Sequence, residues 1–238
     1  MIYAEILAGG TGSRMGNTDM PKQFLMLGSK PIFIHTLEQF LLVKEINKII
    51  VGCPKDWIQY VKNFILKYIG TNDRIVVIEG GKDRNGTIMN ACQFIEENYG
   101  LNDDDVIITH DAVRPFIDYR IIKDNIKESK KYSAIDTIIP ATDTIVESTD
   151  GKILSSIPQR NFLYYGQTPQ TFNIKEWVAT YNSLSDEEKS TLTDACKMFV
   201  IKNKKVTFVK GSESNIKITT MHDLKLANAI LEVGANHD

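Results

Sequence analysis

Up to residue 111, short β-branched runs alternate with longer stretches of helical periodicity, the rhythm of a mostly parallel sheet flanked by helices. Segments 2–7, 46–52, 74–79 and 105–110 read as strands. Pro31 stands where a first-turn proline is tolerated and opens a helix to Val43. Trp57, Val61, Phe64, Ile65 and Tyr68 recur at helical spacing and line one face for burial against a sheet, and 85–98 predicts a further helix. After residue 111 the pattern changes. Segments 144–146 and 153–157 flank an Asp150-Gly151 turn, a hairpin signal. A polar helical region follows from Asn173, with late strands at 206–209 and 216–218. Thr220 with Asp223 makes a capping box for a final helix ending near Leu231. The expected fold is α/β: a Rossmann-like, mostly parallel sheet with helices on both faces and a protruding β-hairpin arm at 142–160, in one domain over residues 1–238.

Charge and cysteine content narrow the partners. The 28 basic and 30 acidic side chains nearly cancel, so no global field favours nucleic acid or an anionic membrane, and any anion site must be built locally. Cys53, Cys92 and Cys196 form no CxxC pair and no cluster with histidine, which argues against a disulfide framework or structural zinc and fits a reducing, cytoplasmic setting. No stretch approaches the roughly 20 apolar residues of a membrane span, and the N-terminus opens directly into a strand-like run. A soluble, unprocessed protein is expected.

The local anion site is best sought in LAGGTGSRMGNTDMPKQF, residues 7–24, directly after the first strand. Open α/β sheets present their ligand crevice at the carboxyl ends of the strands. Gly9, Gly10, Gly12 and Gly16 let backbone amides approach phosphate oxygens, while Arg14 and Lys22 supply charge. Two commoner glycine-rich loops do not fit. No Gly-Lys-Ser/Thr occurs, which excludes a Walker A loop, and the third glycine of a dinucleotide fingerprint is replaced by Met15.

The longer pattern resembles a known family. LAGGTGSRMG followed by PKQF is similar to the N-terminal signature of the cytidylyltransferases that make CDP-methylerythritol and CDP-ribitol. The resemblance continues in GGKDRNGTI at 80–88, THDAVRPF at 109–116, DTIV at 143–146, GQTPQTF at 166–172, TDACK at 193–197 and NIKIT at 215–219. It implies a nucleotidyltransferase fold and in-line attack of a polyol phosphate oxygen on the α-phosphorus of CTP, with release of pyrophosphate. Such transfers rest on positioning and charge, not on a covalent enzyme intermediate.

By motif position, the resemblance assigns Arg14 and Lys22 to the triphosphate. Ala8, Gly9, Gly10, Thr11, Gly12, Gly81 and Thr87 fall to the nucleotide, with the Thr87 hydroxyl as cytosine reader. Asp111 becomes the candidate for either Mg²⁺ or the polyol hydroxyls, one carboxylate plus substrate phosphates being the usual magnesium site. Arg114 follows it in the same turn. Arg160, Thr168 and Lys217 fall in the substrate-phosphate positions, and Arg160 and Lys217 join Arg14 and Lys22 as catalytic cations. In the family the arm crosses to a second subunit, so a homodimer is implied and Thr144 and Arg160 serve the neighbouring site. Asp83 and Arg84 are expected to pair with each other at the surface, and His110 to be a satisfied core histidine.

The polyol is read from subfamily habits. Gly9-Gly10, Val113, Val146 and TDACK all look like the ribitol branch, so ribitol 5-phosphate is the expected substrate, for teichoic-acid or capsule synthesis. The alternative is 2-C-methyl-D-erythritol 4-phosphate of isoprenoid synthesis. A non-catalytic nucleotide-binding subunit is disfavoured by the intact set of cations.

Overall fold

The structure is a computed structural model that describes residues 1–10 and 20–235. Thr11, Gly12 and Arg14, three of the expected site residues, lie outside the described residues.

One twisted sheet organises the chain. Its strands are β1 (Ile2–Leu7), β2 (Lys48–Cys53), β3 (Ile75–Glu79), β4 (Val106–Asp111), β5 (Ala134–Pro140), β6 (Tyr164–Asn173) and β7 (Thr207–Lys210), in the order β3-β2-β1-β4-β6-β5-β7. Strands β3, β2, β1 and β4 pair in parallel, β6 runs antiparallel to both β4 and β5, and β7 returns parallel to β5. The helices are α1 (Ile32–Leu41), α2 (Ile58–Tyr68), α3 (Arg84–Tyr99), α4 (Tyr119–Glu128), α5 (Ile174–Asn182), α6 (Asp186–Ser190), α7 (Lys197–Ile201) and α8 (Met221–Ala235).

Alternation along each strand divides the core in two, because successive side chains leave opposite faces. Ala4, Ile49, Val51, Ile108 and Ile135 join α1, α2 and α4 on one face; Tyr3, Ile50, Ile107, Ala134 and Phe172 join α3, α5 and α7 on the other. The central strands β1, β2 and β4 are buried on both faces, and their near-continuous apolar runs follow from that. A smaller cluster of Leu27, Ile32, Val113, Ile218 and Ala227 seats α8 against the start of α1.

The aromatic face of α2 packs as its spacing predicts, with Val61 and Ile65 buried and Trp57, Phe64 and Tyr68 partly buried against the same core. The capping box also forms: Thr220 Oγ1 accepts the Asp223 amide at 3.2 Å and Asp223 Oδ2 accepts the Thr220 amide at 2.8 Å, though the helix continues to Ala235.

Three expected strand segments, 144–146, 153–157 and 216–218, do not form. The arm holds a single antiparallel bridge, Glu147 to Ser156, around a turn in which Gly151 takes φ +69° and Asp150 Oδ1 accepts from Lys152 N and Ile153 N. An isolated two-stranded ribbon with no third strand and no packed face is marginal, and Ile153, Leu154 and Ile157 stand 72%, 58% and 60% exposed. Segment 216–218 is likewise no strand, but a run pinned by the bond from Ile218 N to Val113 O at 2.9 Å. Among the described residues no helix is long and apolar enough to cross a membrane.

Candidate active site

The carboxyl ends of β1 and β4 open into a cavity of about 340 Å³, walled by Gly9 and Gly10 after β1, by Gly81 and Thr87 at the start of α3, and by Asp111 and Lys217 opposite. Lys22 lines it too, on a 3₁₀ turn from Lys22 to Phe24. Gln23 beside it sends Nε2 to the carbonyls of Ala8 at 2.5 Å and Gly10 at 3.0 Å, so the amide of one side chain holds the path of the glycine segment. Ala8 lies outside the lining, with its amide on Gly52 O at 2.8 Å and its carbonyl taken by Gln23. Gly9 and Gly10 therefore bring the backbone to the ligand space.

Thr87 works chiefly on the protein. Its hydroxyl accepts the Gly81 amide at 3.0 Å and donates to Asp83 O at 2.8 Å, which closes the 81–87 segment on itself. Gly81 is sterically required: a Cβ there would stand 2.3 Å from Gly86 C and 2.6 Å from Thr87 N. Behind Thr87 lies Glu5, fully buried on β1. A Cβ on Gly52 would meet Thr87 Cγ2 at 2.6 Å and Glu5 Oε1 at 3.4 Å, which places the two side chains side by side.

Asp111 is the electrostatic hub. Its Oδ2 meets Lys217 Nζ at 2.9 Å and Arg114 Nε at 3.3 Å, and its Oδ1 is in close contact with Arg84 Nη1. The three cations hold its carboxyl well below the usual carboxylate range in spite of burial. Arg84 does not pair with Asp83 at the surface as expected. Asp83 is instead the N-cap of α3, accepting Gly86 N at 2.8 Å, because an acidic residue at that position satisfies an orphan amide. Arg84, the first helical residue, is thereby turned into the cavity.

Support for Asp111 comes from behind. Its amide donates to Thr168 Oγ1 at 3.1 Å, and that hydroxyl also meets His110 Nδ1 at 2.9 Å. His110 Nε2 faces Arg114 O at 3.2 Å, so Nε2 carries the hydrogen, Nδ1 accepts, and the threonine hydroxyl is the donor. Burial pushes the His110 pKa down to about 3, which keeps the ring neutral and structural, as its alternation on β4 implies. Arg114 is similarly buried, its Nη1 on Asn215 O at 2.7 Å. Thr168 and Arg114 thus brace the cavity from outside its lining. Lys217 lines the cavity between inward-packed Ile216 and Ile218, with its side chain 38% exposed. Thr144 and Arg160 are not brought there within one chain: both are exposed on the arm, with Arg160 Nη1 on Thr142 O at 3.1 Å.

Comparison with known proteins identifies the family. The sequence pattern of the family described as IspD, 2-C-methyl-D-erythritol 4-phosphate cytidylyltransferase, matches residues 2–233. The chain belongs to that family. A solved 4-diphosphocytidyl-2C-methyl-D-erythritol synthase from Anaerococcus prevotii is 30% identical, with a TM-score of 0.79 over 97% of this chain and 96% of that one. The 2-C-methyl-D-erythritol 4-phosphate cytidylyltransferase of Francisella tularensis is 29% identical, with a TM-score of 0.78 over 95% and 98%. That of Thermus thermophilus, 20% identical over 97% and 98% with a TM-score of 0.72, shares the fold.

As a cytidylyltransferase of this family, the chain must gather cations where pyrophosphate leaves and hold the acceptor phosphate in line. Lys22, Lys82, Arg84 and Lys217 all line the cavity, against Asp83 and Asp111. That excess of positive charge suits a triphosphate and a second phosphate. Asp111 stands at the strand end and in the lining, where a divalent cation bridging to substrate phosphates would compete with Arg84, Arg114 and Lys217 for its two oxygens. Asp136, Asp194 and Cys196 bring ligand atoms within 4.8 Å of one another elsewhere, but Gln170 already bonds both carboxylates. Sequence reasoning missed Arg84 and Gln23 as parts of the site. Both stood inside quoted motifs, and the signal for Arg84 was its place one residue after an Asp N-cap.

Proposed function

We propose that this chain transfers CMP from CTP to 2-C-methyl-D-erythritol 4-phosphate, giving 4-diphosphocytidyl-2-C-methyl-D-erythritol and pyrophosphate. The observation that carries the reading is the family match over nearly the whole chain, coinciding with a cation-lined cavity at the end of β1 and β4. The triphosphate is assigned to the amides of Gly9 and Gly10 with Lys22 and Arg14. The base lies toward Gly81, and the polyol toward Asp111 and Lys217. Positioning of the attacking phosphate oxygen and neutralisation of charge on the leaving pyrophosphate then supply the rate acceleration. Mg²⁺, held by Asp111 and substrate phosphates, would add positive charge at the same place.

Ribitol 5-phosphate remains a second reading because Gly9 and Val113, two of the positions that lean toward the ribitol branch, both line the cavity. Pyrophosphate release from CTP is to be compared with the two polyol phosphates. A kcat/KM at least tenfold higher with methylerythritol phosphate is expected. The opposite order would transfer the assignment to ribitol, and no release with either would remove both.

The arm completes the proposal. Val146, Ile153, Leu154 and Ile157 on it and Phe162 just after it are all exposed, a patch suited to a second copy of the chain. In a homodimer, Arg160 and Thr144 would then reach the neighbouring cavity. Arg160→Ala is expected to raise the KM for the polyol phosphate about tenfold, with the KM for CTP little changed, since a charge-assisted contact to that phosphate alone is lost. A rise confined to CTP would contradict this division of the site.

A further inference from the structure

Three motif blocks that are distant in sequence converge behind Asp111. Arg84 comes from the first turn of α3, Gln170 from β6 opposite Thr109, and Asp194 from the TDACK turn ahead of α7. Gln170 is fully buried. Its Nε2 donates to Asp194 Oδ2 at 2.6 Å and to Asp136 Oδ1 at 2.9 Å, while its Oε1 receives Arg84 Nη2 at 3.4 Å. Asp194 is itself fixed, its Oδ1 accepting Cys196 N at 2.7 Å, and Asp136 Oδ1 also takes Thr137 N at 2.9 Å.

We propose that Gln170 and Asp194 are positioning residues for the cytidylyl transfer, fixing Arg84 and through it the carboxylate of Asp111. The reason lies in the amide. A primary amide has two hydrogens and one oxygen. Two carboxylates take both hydrogens, so the amide cannot turn over, and its oxygen must face the guanidinium. Arg84 is then held at one nitrogen by Gln170 and at another by Asp111, which fixes the plane of the fork. Without the carboxylate at 194, the amide can reverse and set Nε2 against Arg84, donor against donor. None of the residues behind Arg84 lines the cavity, so their effect on the reaction passes through it.

This rests on the assignment of the Asp111 cavity to the transfer, and the test separates the two claims. Asp194→Asn keeps the shape and removes the charge; it is expected to lower kcat/KM at least tenfold and to move the same constants as Asp111→Asn, in milder form. The double variant Asp194→Asn/Gln170→Glu moves the charge by one residue. The new amide at 194 can donate to the carboxylate at 170, whose other oxygen accepts from Arg84. Asp136, whose pKa burial already pushes up to about 6, can take a proton and donate as well. The double variant is expected to return to within about threefold of the wild-type rate, a strongly non-additive cycle.

All proteins are to be assayed well below their own unfolding midpoints, so that lost activity is not lost fold. A single variant that fails to fold while the double folds and turns over also supports the relay. Wild-type constants in Asp194→Asn, or a double variant no better than the single, would overturn it. No turnover by the wild-type protein in the same assay would sink the reaction assignment instead.

Discussion

Asp111→Asn is expected to lower kcat/KM by about a hundredfold or more, the scale of removing one preorganised charged group from a transfer site. It should also lower the free energy of unfolding by about 3 kcal/mol, the lower end of the cost of breaking a buried ion pair from one side. The asparagine keeps the shape and the bond from the backbone amide to Thr168, so what is lost is charge. Arg84, Arg114 and Lys217 would then share a site without their common anion. Arg84 and Arg114, with side chains 22% and 10% exposed, have little water to replace it. Because the folded carboxyl titrates well below its usual value, its stabilising effect is complete above about pH 4 and is lost as the pH falls further. The variant should lack that acid-side component. Urea unfolding at pH 7 and steady-state kinetics measure the two effects, and wild-type values in both would remove Asp111 from the centre of the site.

The second large effect concerns Glu5 and has the opposite sign. Neither of its oxygens meets a hydrogen-bond partner among the described residues. Burial pushes its pKa up from 4.5 to about 8, with Arg84 pulling the other way. Across the sheet face it meets Gly52 and Thr87, and from α3 it feels the Arg84 charge and the Cys92 thiol. A carboxyl with a raised folded pKa binds more protons folded than unfolded between those two values, so its contribution to stability falls as the pH rises through that window. Glu5→Gln has no such proton to lose. The stability of the variant relative to wild type is therefore expected to rise from pH 5 to pH 9 by roughly 4 kcal/mol, at about 1.4 kcal/mol per pKa unit. Denaturant titrations at the two pH values compare them directly, and parallel pH dependences would show that Glu5 is ionised in the folded protein.

Much of the architecture was legible because periodicity and burial coincide in the first half of the chain. Strands buried on both faces leave unbroken apolar runs, and α2 displays its buried stripe at helical spacing. The second half was harder to read. Gly166 and Pro169 disguise β6, whose pairing with β5 shifts register where Thr168 and Pro169 intervene. In the arm, a correct turn signal at Asp150-Gly151 overstated the strands, since a turn residue specifies a local bend and not a packed face. The site shows the same division. Lys22, Gly81, Asp111 and Lys217 were found through motifs, and all four line the cavity. Arg84, the partner of Asp111 Oδ1, was not found that way, because the capping geometry at Asp83 and the amide orientation at Gln170 arise only when distant segments meet.

In the proposed reaction, the cavity between Gly9 and Lys217 transfers CMP from CTP to a polyol phosphate. Pyrophosphate release by the purified protein with Mg²⁺, measured with CTP, UTP and ATP in the presence and absence of the polyol phosphate, tests it most directly. The expected result is release that requires both CTP and the polyol phosphate and that falls about a hundredfold or more in Asp111→Asn. Release without the acceptor, equal rates with UTP, or an unchanged rate in Asp111→Asn would contradict it.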